Sequence, residues 1–162
     1  MLTPRASRPS VPAGYGIAAA DEGKGLLPWS WADERLRGKH IWWLATARPN
    51  GAPHLMPIWA VWLGDGVAFS SDGTSAKARN IAHDARVSIV PERGTQSVIY
   101  EGLAGHLEEA RKPDFFAAYE EVWGIDVSGM EGSPIFLIRP TKVFGFIDED
   151  DGFPLNATRW EF

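Results

Sequence analysis

The sequence predicts a mainly β fold: a barrel or closed sheet of about six strands, mostly antiparallel, with two or three short helices. Three observations carry this. Short apolar and aromatic runs are separated by strong turn signals. No regular alternation of strand and helix marks a parallel doubly wound sheet. The 162 residues, 44% hydrophobic and 23% charged, suit one domain of ordinary globular balance and show no internal repeat.

Residues 1–29 are rich in Pro, Gly, Ser and Ala and read as an extended arm, ahead of a folded domain over 30–162. Ser30-Trp31-Ala32-Asp33 has the form of a capping signal and opens a short helix to Arg37 that stops at Gly38. His40–Ala47 is a strand by its aromatic and apolar content. Arg48-Pro49-Asn50-Gly51 is a turn, since Asn-Gly accepts the positive φ of tight hairpins. A second strand runs from Ala52 to Leu63, with an edge, bulge or interruption expected near Pro57, because proline donates nothing to a ladder. Gly64-Asp65-Gly66 then turns the chain into Val67–Ser71, a three-strand meander.

The period changes to helical over Thr74–His83, with Thr74 or Ser75 as cap. Ala85–Pro91 and Ser97–Leu107 are strands around a polar turn. Pro113 suits a first helical turn, and Phe115, Phe116, Tyr119, Val122 and Trp123 follow at roughly helical spacing up to Gly124. Ser133–Arg139 and Thr141–Asp148 form a strand pair, or one strand bent across Pro140. The tail Leu155–Phe162 is too aromatic to be idle.

Composition removes several function classes. A net charge of −5 opposes nucleic-acid binding, single-stranded included, which needs a basic footprint. Cysteine is absent, so there is no disulfide, thiolate nucleophile or Cys-based metal site, in keeping with a reducing cytoplasm. The N-terminus contains no apolar run long enough for a signal-peptide core and nothing near the length of a membrane span. His40, His54, His83 and His106 are scattered, and neither a carboxylate pair nor metal-ligand spacing stands out. Eight Trp imply either a thick core or aromatic walls around a planar ligand; Trp59 and Trp62 are the candidates to flank such a ligand or a substrate, with core the stronger reading for Trp62.

The stretch Phe69-Ser70-Ser71-Asp72-Gly73-Thr74-Ser75-Ala76-Lys77-Ala78-Arg79-Asn80 carries the chemistry. A strand delivers two hydroxyls, a glycine turns the backbone, and a helix starts with more hydroxyls and two cations. Free N–H groups and the positive end of the dipole at a helix start favour an anion. Lys77 and Arg79 stand where the dipole alone prefers acids, which points to phosphate; a solvated basic face is the plainer alternative.

Leu44-Ala45-Thr46-Ala47-Arg48-Pro49-Asn50-Gly51-Ala52-Pro53-His54, followed by Pro57-Ile58-Trp59, resembles the opening strands of the pyridoxamine 5′-phosphate oxidase-like split-barrel family. Ser75-Ala76-Lys77-Ala78-Arg79-Asn80-Ile81 and Asp84-Ala85-Arg86-Val87-Ser88 are similar to that family's phosphate-binding helix and next strand. The likeness spans roughly residues 30–148 and is nearest to the actinobacterial branch that uses FMN or coenzyme F420. It implies a six-stranded antiparallel split barrel of the FMN-binding type. It also implies a homodimer with the cofactor at the interface. By this resemblance Ser70 and Ser71 end a strand under the ribityl phosphate, Ser75 and Lys77 hold that phosphate, and Arg79 and Asn80 lie beside it. Met56, Pro57, Ile58 and Trp59 match the strand that lies along the ring, while Arg159 and Trp160 either close the pocket from the partner subunit or pack the tail without touching ligand. Leu55, Ala60 and Ala76 stand where true pyridoxamine phosphate oxidases carry basic residues, so oxidation of vitamin B6 is not expected.

The expectation is a cytoplasmic FMN- or F420-dependent oxidoreductase, moving a hydride to or from a small organic substrate, with no membrane or nucleic-acid partner. The alternative is a non-catalytic split-barrel module that stores or senses flavin, haem or another hydrophobic ligand.

Overall fold

The Asn50-Gly51 signal sets the first register. In the computed structural model, Gly51 takes a left-handed φ of 81° and donates its N–H to the Arg48 carbonyl at 2.8 Å. This turn joins β2 (Ile41–Ala47) to β3 (Pro53–Trp59), pairing Ala47 with Pro53 and Ile41 with Trp59 without a slip. The structure describes residues 2–12, 14, 16–17, 24–129, 132–148 and 153–162.

Of the edge, bulge or interruption expected near Pro57, the structure shows the edge, since β3 is the last strand of the sheet; the interruption falls at Ala60, where β3 gives way to β4 (Val61–Trp62). The physical reason is parity. Arg48 N–H bonds the Ala52 carbonyl, so with an even register the backbone-bonded pairs are Thr46–His54, Leu44–Met56 and Trp42–Ile58. Pro53, Leu55, Pro57 and Trp59 therefore turn their backbone polar groups away from β2. β3 ends the sheet, so the missing N–H groups of Pro53 and Pro57 leave no ladder bond unmade.

β5 (Val67–Ser70) pairs with β4 and with β8 (Ile135–Ile147), rather than completing a simple meander. β6 (Arg86–Pro91) and β7 (Gln96–His106) follow, and β7 runs along the whole of β8. The ring β2, β3–β4, β5, β8, β7, β6 has six members once β3 and β4 are counted as one bent strand. Two more strands lie outside that ring. β9 (Thr158–Glu161) takes the C-terminal half of β8, and β1 (Arg5–Ser7) adds to β9. β8 is the one-bent-strand option, irregular opposite Glu101 and Gly102, and it forks the sheet between β5 and β9.

Among the described residues four α-helices fill the gaps: α1 (Trp29–Leu36), α2 (Ala76–His83), α3 (Lys112–Trp123, after a 3₁₀ turn at Glu109–Arg111) and α4 (Phe153–Asn156). α1 begins at Trp29 with Pro28 before it, and Ser30 makes no cap bond. Burial of Trp29 edge-on against Trp160 and Phe162 draws the start upstream. Ser75 does cap α2, accepting the Ala78 N–H at 3.2 Å. Gly124 ends α3 in the left-handed region.

The barrel interior holds Trp42, Leu44, Trp62, Phe69, Tyr100, Ile138, Val143 and Trp160. A second cluster, with Phe115, Tyr119 and Trp123, seats α3 on the outside of β4, β5 and β8. Gly145 is required beneath Trp160, since a Cβ there falls 2.6 Å from the indole. The N-terminal segment is tied down as well. Arg8 is buried and donates to the carbonyls of Ala157 (3.0 Å) and Lys24.

Alternation leaves one broad face of the sheet outward. Trp43, Leu55, Trp59 and Leu103 are exposed there, with Ile99, Phe144 and Phe146 partly covered beside them.

Candidate functional site

The loop between β5 and α2 is built by its own polar groups. Asp72 accepts the Thr74 N–H and hydroxyl, both at 2.6 Å, and those bonds hold its carboxyl below the usual range. Lys77 adds a smaller pull in the same direction. Ser71, buried at the end of β5, lies 3.0 Å from the Ser75 hydroxyl. Ser71 also has the Asp72 carbonyl as an acceptor at 3.5 Å, and the hydroxyl pair lies next to the unpaired N–H groups of the first turn of α2. Lys77 is half-buried in that turn. Arg79 folds back to donate to the Thr74 carbonyl, which fastens the loop to the helix.

Across from this turn stands the start of β3. His54 shares the face of β3 that carries Met56, and its Nδ1 is 3.2 Å from Thr46 Oγ1. Desolvation, then the charges of Arg48 and Lys77, lower the imidazole below its ordinary value and so favour its neutral form. Arg48 and Lys77 thus act on one spot from two elements, and the site is locally positive within an acidic chain.

The structure brings together Ser71, Ser75, Lys77 and Arg79, with Met56 on the neighbouring strand face. Other residues singled out from the sequence lie elsewhere. Asn80 is buried, and its amide donates to Thr46 Oγ1 at 2.9 Å. Ser70 donates to the Pro134 carbonyl at 3.4 Å and lines a 150 Å³ pocket behind the loop, walled by Phe115, Phe116 and Tyr119. Ile58 is buried, while Pro57 and Trp59 project from the outward face. Trp59 stacks on Trp123 with ring centroids 4.8 Å apart. Trp62 is core, donating its indole N–H to Asp33 at 2.8 Å. Trp160 is fully buried in the core of its own chain, and Arg159 bonds Ser7 at 3.2 Å. That leaves Trp160 no surface to offer a pocket.

Thr46 and Arg48 are the members that sequence reasoning passed over, while His54 stood among the histidines it considered, near the strand assigned to the ring. A signal existed: a hairpin turning at Asn50-Gly51 sets Thr46 opposite His54. A groove of about 410 Å³ opens nearby on the sheet, lined by Ala45, Thr46, Ser88, Glu101, Gly102 and Leu103 among others. Among the described residues no group of three or more His, Cys, Asp or Glu side chains could hold a metal. No helix among them is long and apolar enough to cross a membrane.

What the arrangement can do is bind an anion at the start of α2, beside a sheet edge with free backbone groups. The family model described as pyridoxamine 5′-phosphate oxidase matches residues 31–146. No curated protein matches the chain. Among solved structures, a conserved hypothetical protein from Mycobacterium tuberculosis is similar at 20% identity and a TM-score of 0.67, covering 89% of this chain and 94% of that one. An F420 reductase is similar at 20% identity and a TM-score of 0.58, over 68% of this chain and 94% of its own. HutZ, the heme storage protein from Vibrio cholerae, is similar at 20% identity and 0.55, over 69% and 86%. At these identities the likenesses show the split-barrel fold alone.

Proposed function

The chain belongs to the pyridoxamine 5′-phosphate oxidase family, and from that premise we propose that it is an oxidoreductase using FMN or coenzyme F420. The observation that carries this reading is the anion cradle at the start of α2: the Ser71–Ser75 hydroxyl pair, Lys77, and the charge of Arg48 arriving from the β2–β3 turn. The donor set fits a phosphate, being hydroxyls, free helix N–H groups and cations.

A flavin or deazaflavin held there supplies hydride transfer at its ring, while the protein supplies placement and electrostatics. Lys77 and the serines fix the phosphate end. At the sheet edge, Leu55 turns both its N–H and its C=O outward, a matched donor and acceptor for the imide edge of such a ring. Met56 packs from the inner face of the same strand, and Trp59, backed by Trp123, offers an aromatic wall for a small substrate. The outward apolar face, with Trp43, Leu55 and Leu103 exposed, supports a homodimer with the site at its interface. Leu55→Asp with Leu103→Asp is expected to yield a monomer by sedimentation.

The test is a titration of the purified protein with FMN and with F420, followed by absorbance. Binding of one of them, weakened roughly tenfold in Lys77→Ala, about 1.4 kcal/mol, supports the reading. No binding of either at micromolar concentration overturns it.

One observation favours a storage module instead. His106 stacks on Phe136 at the mouth of an apolar cleft of about 240 Å³ between α2 and β7. A haem Soret band lost in His106→Ala is the result expected of that reading.

A further inference from the structure

We propose that His54 serves the anion site as a neutral hydrogen-bond donor, its imidazole locked in the Nε2–H tautomer by a one-way chain from Asn80 through Thr46. The choice of anion rests on the function proposed above; the tautomer rests on geometry alone.

The chain starts in the core. Asn80 Nδ2 carries only protons to give, and it places one on Thr46 Oγ1 at 2.9 Å. Asn80 and Thr46 are 3% and 4% exposed, so bulk water has little share in this contact. Having accepted from Asn80, the threonine hydroxyl has its own proton to place. The neighbour within reach is His54 Nδ1, 3.2 Å away. If Nδ1 carried the proton, the Thr46 hydroxyl would face two donors and its own proton would be stranded beside the core. Nδ1 is therefore the acceptor, and the imidazole proton sits on Nε2. That nitrogen has no hydrogen bond to any described residue and is left for a ligand.

The electrostatics agree. The charges of Arg48 and Lys77 both act on His54, so a third full charge there is opposed. A neutral N–H adds directed recognition of an anion oxygen without that repulsion, in the way a fixed dipole does. Asn80 and Thr46 act through His54 and are positioning residues; this explains why an asparagine is buried on the core side of α2.

The experiment reads the imidazole nitrogens directly. Long-range proton–nitrogen correlation spectra of the ¹⁵N-labelled, ligand-free protein at neutral pH are assigned by loss of one signal in His54→Gln. A pyrrole-type Nε2 and a pyridine-type Nδ1 are expected. Thr46→Ser keeps this pattern, whereas Thr46→Val gives a tautomer mixture. An Nδ1–H tautomer or an imidazolium in the native protein overturns the lock.

Inorganic phosphate is then titrated into the same sample. A shift of the His54 Nε2 signal, with apparent phosphate affinity kept within about threefold in His54→Gln and lost at least tenfold in His54→Leu, supports the donor role. An unmoved signal, or equal affinity in both variants, overturns it. Failure of FMN and F420 to bind while phosphate still shifts His54 would refute the cofactor reading and leave the donor standing.

Discussion

Removing the carboxylate of Asp33 should loosen α1 from the barrel by an amount that the structure itself apportions. Oδ1 accepts the Trp62 indole N–H at 2.8 Å, and Oδ2 accepts two bonds from Arg37 at 2.8 and 2.9 Å. Trp62 is 8% exposed, so in Asp33→Ala its N–H is orphaned in the core, at about 1–3 kcal/mol. The Arg37 pair is on the surface, an i,i+4 contact worth about 0.3–0.5 kcal/mol. The total is about 1.3–3.5 kcal/mol, dominated by the buried donor. With a urea m-value of about 2 kcal/mol/M, the unfolding midpoint falls by roughly 1 M. Urea unfolding followed by far-ultraviolet circular dichroism measures it. Asp33→Asn keeps an oxygen for Trp62 and should cost under about 1 kcal/mol, and Arg37→Ala no more than about 0.5. If Asp33→Ala proves no more costly than Arg37→Ala, the indole bond contributes nothing and the argument fails.

Ser75→Ala deletes the cap of α2 and should lower stability by about 1 kcal/mol, with Ser75→Asp close to native; equal losses in both variants would count against a capping role. Gly145→Ala forces a methyl against the Trp160 indole and should cost about 1–3 kcal/mol. A thermal midpoint unchanged from native would mean the β8–β9 layer yields freely. His40 is held below its ordinary pKa by burial first and by Arg93 as well, against an opposing bond to the Arg37 carbonyl. Its folded form thus binds the proton less readily than its unfolded form. The stability it contributes is present above about pH 6.5 and lost as pH falls towards the depressed value. Denaturant midpoints of His40→Gln should decline less steeply over that interval; parallel acid limbs would remove His40 as the cause.

Much of the barrel is legible in local signals. Asn50-Gly51 sets the β2–β3 hairpin, Ser75 caps α2, and Pro113 and Gly124 bracket α3, because each acts within a few residues of its effect. What escapes is decided at long range. β1 pairs with β9 across the length of the chain, Arg5 opposite Glu161, and nothing within Arg5–Ser7 announces that partner. The same distance effect moves the start of α1, where the rings of Trp160 and Phe162 outweigh a short-range capping pattern at Ser30. In the site, the loop from Ser70 to Arg79 is readable because strand, turn and helix start are contiguous. Asn80 is not, since one turn of helix decides whether a side chain faces an anion or the core. Trp160 shows the limit of composition: an aromatic tail residue reads equally as a pocket lid or as core, and only the pairing of β9 with β8 makes it core.

The prolines of β3 have a consequence for the protein at high concentration. An open strand edge invites the strand of another molecule, and repeated addition of this kind leads to fibres. Along this edge the outward positions are Pro53, Leu55, Pro57 and Trp59, so every second donor that an incoming strand needs has been deleted. The pairing proposed above uses the apolar face instead, and such a pair would close on itself. Growth of an open-ended polymer from the β3 edge is thereby hindered at the backbone itself.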